Sequence, residues 1–298
     1  MPKPIIAAID PDREDDAPLV AGAALAGITG APLVVLGAYL HDPITNAVSA
    51  GTVDEDLRST ALRALEARTS AIDADLLVKG GPSPARVLHD AAVDLDALLV
   101  VVGSTHRGPL GRVAPGTTAE RLMHGAPCPV VIVPAGLGSD WSPNRIAVGF
   151  VDLEDGHGAL RAAAALARAV GTELRAITAV EPATGRNAAV APYGAGGQDE
   201  SRAVAQRELD AALAQLPSGV RARGEVVVAP PADALVELSE EVDLLVCGSR
   251  GYGPLRAVLM GSVSHAVIRK AHCPVLVVPR GTDNVISDLA PQHEATTG

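Results

Sequence analysis

Apolar residues come along this chain in short unbroken runs, and between the runs they recur every three or four positions. The first run, IIAAI at Ile5–Ile9, predicts a strand. The segment APLVAGAALAGITG at 17–30 predicts a helix, with Pro18 as its start signal and Gly30 as its stop. Strands follow at 32–39, 75–80, 97–103 and 129–134, and helices at 54–69, 84–93 and 117–125. From Arg145 the order replays: strands at 145–150, 173–180, 224–230, 244–248 and 274–279, helices at 158–171, 203–216, 232–242 and after Ser262. Strands that are apolar throughout, alternating with amphipathic helices, describe an α/β fold whose parallel sheet is covered on both faces. Each half carries five strands.

The replay is also a repeat in sequence. Residues 103–134 and 248–279 align without a gap at an offset of 145 residues, pairing Gly103 with Gly248, Gly108 with Gly253, Gly116 with Gly261, Cys128 with Cys273 and Pro129 with Pro274. The chain is a tandem duplication. Its domains are placed at 1–136 and 143–281, joined by the Gly-, Ser- and Pro-rich AGLGSDWSPN (135–144), with 282–298 expected to be a disordered tail. The final strand of each half is an apolar edge with unpaired N–H and C=O groups, so the two are expected to pair, giving a ten-stranded pseudo-dimer within one chain.

A length of 298 residues suits two cores. No apolar run approaches the roughly 20 residues that span a bilayer, and the start MPKPIIAAID lacks the layout of a secretory signal, so a soluble, cytoplasmic protein is expected. Cys128, Cys247 and Cys273 have neither C-x-x-C spacing nor an even count, which argues against a disulfide framework and a zinc site. They read as small buried hydrophobes. A net charge of −11 disfavours nucleic acid and anionic membranes, and 2% aromatic residues leave few rings to stack on bases. A small-molecule partner fits better.

The chemistry-bearing stretch is GSRGYGPLRAVLMGSVSHAV, from Gly248 to Val267. It leaves the fourth strand of its half at the carboxyl edge of the sheet, where open α/β sheets bind ligands, and runs into a helix. Gly248, Gly251 and Gly261 permit close approach of a ligand to backbone, Ser262 stands where an N-cap hydroxyl should be, and free N–H groups of Val263 and Ser264 lie beside it. That is an anion site. Taken singly, a glycine at a strand end is more often a turn residue.

The pattern G-x2-G-x9-G-[S/T] closed by HCPVLVVP resembles the universal stress protein family in its tandem form, over about 4–134 and 144–280. The resemblance implies two tandem Rossmann-like domains, each a five-stranded parallel sheet with helices on both faces. It implies ATP as the ligand, with or without Mg2+, in the branch that keeps the glycines. In the first half Asp10 matches the family's aspartate near adenine and ribose, and Gly103, Gly116 and Thr117 match the phosphate motif, while His106 replaces the middle glycine. In the second half all three glycines and Ser262 are present, but Val151 holds the aspartate's position, with Asp152 one residue late. The second half is expected to hold the stronger phosphate site, helped by His265, Arg269 and Lys270 on the following helix.

Local alternatives stand beside this. Thr117 begins TTAE, a capping box with Glu120 whose hydroxyl would serve only the helix. The acidic run DPDREDD (10–16) is read as complementing the positive start of the first helix rather than as a cation site. No H-E-x-x-H, G-x-S-x-G or GxxxxGK[ST] pattern occurs, and no nucleophile and base stand out, so an enzyme is not expected. Three functions remain open: an ATP-binding regulatory protein of the stress response, an ATP-hydrolysing enzyme on the same fold, and a nucleotide-free interaction or scaffold protein with degenerate sites. A homodimer is compatible with each.

Overall fold

A computed structural model describes residues 2–41, 50–104, 116–182, 197–249 and 261–282. The expected tail falls almost wholly outside the described residues. The first half runs β1 (Ile5–Ile9), α1 (Ala17–Thr29), β2 (Leu33–Leu40), α2 (Ala50–Thr69), β3 (Asp75–Gly81), α3 (Pro84–Asp94), β4 (Leu99–Gly103), α4 (Thr117–Met123) and β5 (Val130–Val133). The second runs β6 (Ile146–Gly149), α5 (Glu154–Val170), β7 (Glu173–Val180), α6 (Gly197–Ala214), β8 (Arg221–Val228), α7 (Pro231–Leu238), β9 (Leu244–Gly248), α8 (Ser262–Lys270) and β10 (Val275–Val278).

All ten strands form one sheet, in the order β3-β2-β1-β4-β5-β10-β9-β6-β7-β8. Every neighbouring pair is parallel except β5 and β10, which run antiparallel with Val277 opposite Val130 and Val275 opposite Ile132. The halves therefore join through their last strands, as their apolar edges lead one to expect. The antiparallel join puts the carboxyl ends of the two parallel sets at opposite edges of the sheet. The central strands are buried on both faces: Leu99, Val100, Val101, Leu244, Leu245 and Val246 are each 0% exposed. Their unbroken apolar character follows from helices on both sides, with α3 packed on α4, α7 on α8, and α1 on α5 across the pseudo-twofold axis.

Element boundaries shift where local chemistry outweighs the apolar period. Helix α5 starts at Glu154, four residues before its expected start, because Glu154 and Asp155 suit the positive end of a helix. The glycine among them is compatible with that start: a Cβ on Gly156 would stand 2.0 Å from the Val151 carbonyl oxygen. Strand β8 begins three residues early, at Arg221, because an edge strand tolerates outward-facing arginines. The linker is fastened to the second half through Asp243. The Asp243 carboxylate takes hydrogen bonds from the Arg145 backbone N–H (2.8 Å) and guanidinium (2.6 Å), and its carbonyl takes one from Trp141 Nε1 (3.3 Å).

Across the axis on the other face, Glu120 of α4 meets Arg269 (3.5 Å) and His265 (4.0 Å) of α8. Glu120 and His265 occupy equivalent positions of the repeat, so the duplication lets a self-facing position carry complementary groups. Glu120→Arg should therefore lower stability by roughly 0.5–1 kcal/mol, and adding Arg269→Glu should recover most of it. Thermal melts of the two single variants and the double variant check this.

Cys128, Cys247 and Cys273 are buried, and burial pushes each thiol up to about 12. At pH 8 the native protein should resist iodoacetamide at all three and take up three equivalents once unfolded. Mass spectrometry before and after denaturant counts the labels.

Candidate functional site

In each half the strand order reverses direction once. Strand β1 leads to β2 on one side while its other neighbour, β4, leads to β5, so the loops after β1 and β4 part and leave a crevice at the carboxyl edge. Asp10 and Gly103 lie there. In the second half the crevice is between β6 and β9, with Val151, Asp152 and Gly248 at its mouth. Gly251 and His106, on which the expected difference between the sites partly turns, lie outside the described residues.

In the second half, Gly261 rather than Ser262 is the N-cap of α8 (φ −63°, ψ 152°), and no side chain caps the helix. The expected N-cap serine is instead the first helical residue, with an exposed side chain. Gly261 donates its own N–H to the Ser249 carbonyl (2.9 Å), tying the helix start to the end of β9. The first turn's donors are then the N–H groups of Ser262, Val263 and Ser264, the ones that no intrahelical acceptor reaches. The Ser264 hydroxyl is turned inward, donating to the Gly261 carbonyl (3.2 Å), so only its backbone is available to a ligand. Gly248 has a packing reason to be bare: a Cβ there would stand 2.7 Å from the Asp155 carbonyl oxygen and 3.0 Å from its carboxylate.

Two polar features of this crevice escaped the sequence reading. Ser249 is 2% exposed and its Oγ has no hydrogen-bond partner among the described residues, whereas Ser104, its repeat equivalent, accepts from the Ala135 N–H (3.0 Å). The Asp152 carboxylate is held by His157 Nε2 at 2.7 Å, and the His157 ring stands edge-on to Phe150 with centroids 5.3 Å apart. The Val151 carbonyl takes the Leu153 N–H (2.7 Å), so the chain turns immediately after the strand and Asp152 departs from the alternation that would have aimed it away. The signal was an Asp and a His five residues apart, straddling a helix start.

The first crevice is more self-contained. The Asp10 carboxylate takes the Asp12 N–H (3.1 Å) and pairs with Arg13 (3.0 Å). Arg68 from α2 fastens the acidic turn, donating to the carbonyls of Asp10, Arg13 and Asp15 and to the Asp16 carboxylate (2.6 Å). Asp15 accepts from the Ala17 N–H (3.1 Å), so part of the acidic run does serve the start of α1. The other carboxyl oxygen of Asp15 lies 3.6 Å from where a Gly103 Cβ would stand, which puts negative charge beside the expected phosphate position. The N-cap of α4 is Gly116, not Thr117, and makes no side-chain cap. The expected Thr117–Glu120 box is therefore not formed, because Glu120 sits one position too far along and turns to α8. Likewise Arg269 and His265, expected to add charge to the second phosphate site, face Glu120. At the carboxyl end of β2, Tyr39 donates to Asp54 (2.8 Å); burial first and that carboxylate second raise its hydroxyl to about 12. Among the described residues no group of three or more His, Cys, Asp or Glu is placed to hold a metal ion, and no helix is long and apolar enough to cross a membrane.

Comparison with known proteins bears on both halves. The profile of the Universal stress protein family matches residues 1–134 and again 143–279. A universal stress protein of Mycobacterium tuberculosis is 29% identical over 306 residues, spanning 92% of this chain and 96% of that one. One of Mycolicibacterium smegmatis is 30% identical over 301 residues with the same coverage. Among solved structures, a putative universal stress protein from Pseudomonas aeruginosa superimposes with a TM-score of 0.64 at 16% identity, over 96% of both chains. One from Archaeoglobus fulgidus gives 0.61 at 18% identity, over 93% of this chain and 98% of that one. These two likenesses establish the fold.

Proposed function

Because this chain belongs to the universal stress protein family in its tandem form, we propose that it is an adenine-nucleotide-binding regulatory protein, with ATP held in the second-half crevice. The observation that carries this reading is the start of α8: an uncapped helix N-terminus opening from a glycine at a topological switch point, beside the buried Ser249 hydroxyl, which has no hydrogen-bond partner among the described residues. Backbone N–H groups of Ser262, Val263 and Ser264 would meet the phosphates. Asp152, anchored by His157, would stand at the sugar and base end in place of the strand-terminal carboxylate that Asp10 supplies in the first half. Mg2+ would accompany the phosphates. Binding rather than catalysis is the role, and the stress response its setting in the cytoplasm.

The direct test is to denature the purified protein and identify any released small molecule, then to melt the stripped protein with MgATP. At a hundredfold excess over Kd, ligand should add about 2.7 kcal/mol of stability. No released nucleotide together with an unchanged melt would favour the nucleotide-free interaction protein.

A further inference from the structure

At the amino-terminal edge of the first half's strands, opposite its candidate nucleotide crevice, the ends of α1 and α2 flank an open groove of about 630 Å³. Its walls are part apolar and part polar: Leu33 and Ile72 line it, with Gly27 and Gly30 on one side and Asp73 and Asp75 on the other. Among the described residues no basic one lines it. Asp73 and Asp75 are exposed and have no ion-pair partner among the described residues. Two helix carboxyl ends, each with partial negative charge, add to theirs.

The second half shows what this place is shaped to receive. Gly30 and Gly171 are equivalent left-handed helix caps, each three residues before the strand leucine that pairs with its half's first strand. Counting back from those leucines, Gly27 corresponds to Arg168. Strand register matches Asp75, opposite Val34, with Arg223, opposite Arg175, and so Asp73 with Arg221. Three arginine positions of the second half are thus a glycine and two aspartates in the first. In the second half the Arg221 guanidinium occupies the equivalent place, donating to the carbonyl of the Gly171 cap (2.8 Å). The first half keeps the cap, removes the internal guanidinium, clears the space at Gly27 and supplies two carboxylates.

We propose that this groove binds a small organic cation, a guanidinium on an apolar stem, which takes the position that Arg221 fills in the other half. The cation meets the α1 carboxyl end and Asp73 and Asp75, and the stem lies along Leu33 and Ile72. The site is separate from the nucleotide crevice and does not depend on it.

Calorimetry with n-butylguanidinium at low salt, with neutral n-butylurea as control, tests the proposal. The full-length protein should bind the cation and not the urea. Asp73→Asn with Asp75→Asn should weaken binding by about tenfold, the effect of two exposed carboxylates. Gly27→Arg should abolish it by placing a guanidinium of the chain itself in the groove. The variant should fold, since a Cβ on Gly27 meets nothing within 4 Å. ATP-dependent heat stabilisation, measured alongside, should be the same in all variants. Absence of binding in the wild type, equal binding of the urea, or binding indifferent to both variants would overturn the proposal. So would a concentration-dependent dimer in sedimentation that Gly27→Arg dissolves, since the groove's occupant would then be a second copy of the chain.

Discussion

Gly156→Val should cost about 3 kcal/mol or more and lower the melting temperature by roughly 6–12 °C. Gly156 lies in the first turn of α5, and a Cβ there would sit 2.0 Å from the Val151 carbonyl oxygen and 3.0 Å from its carbon. Both are backbone atoms, so no side-chain rotation relieves the clash. That carbonyl also holds the turn to Leu153, and Gly156 is buried, so the helix start and the strand end would have to separate. Gly27→Ala is the matched control. It sits in α1 with open space at its Cβ position and should be neutral or stabilising by up to about 1 kcal/mol. Equal melts for Gly156→Val and wild type would show that the chain does not turn at Val151 as described.

Gly261→Leu should lower ATP affinity roughly thirtyfold, a loss of about 2 kcal/mol, while the protein stays folded. Its backbone conformation, φ −63° and ψ 152°, is open to any L residue, so strain is not the reason for a glycine there. Gly261 is buried at the start of α8, so a side chain there would fill the space through which a ligand reaches the first N–H groups. Gly248 cannot serve the same test, because any Cβ there would press on the Asp155 backbone and confound affinity with stability. Circular dichroism and the cysteine count confirm folding; unchanged ATP affinity in a folded Gly261→Leu variant would remove the helix start from the binding site.

Which features were legible in the sequence follows from how local they are. Apolar runs and the 145-residue repeat report burial, and burial reports the layered sheet, so the five parallel strands of each half and the β5–β10 join could be read ahead. Helix starts were misplaced by up to six residues, at α6, and two caps by one, because Ser262 and Thr117 look like caps while Gly261 and Gly116 take that place. Glu120 was assigned to the cap of its own helix and Arg269 to the second phosphate site; only the pseudo-twofold axis, a tertiary fact, brings them together. The Asp152–His157 pair and the burial of the Ser249 hydroxyl depend on a turn after β6 and on the close of β9, which no periodicity encodes. Arg68 reaches the acidic turn from more than fifty residues away, and its role was equally invisible.

The central claim is that the second-half crevice, at the start of α8, is this chain's nucleotide site. Calorimetric titration of nucleotide-stripped protein with MgATP tests it most directly, run on wild type, Gly261→Leu and Gly116→Leu. One ATP per chain is predicted for the wild type, little or no heat for Gly261→Leu, and wild-type binding for Gly116→Leu. Two equal sites per chain, or one site that survives Gly261→Leu and is lost in Gly116→Leu, would contradict the account.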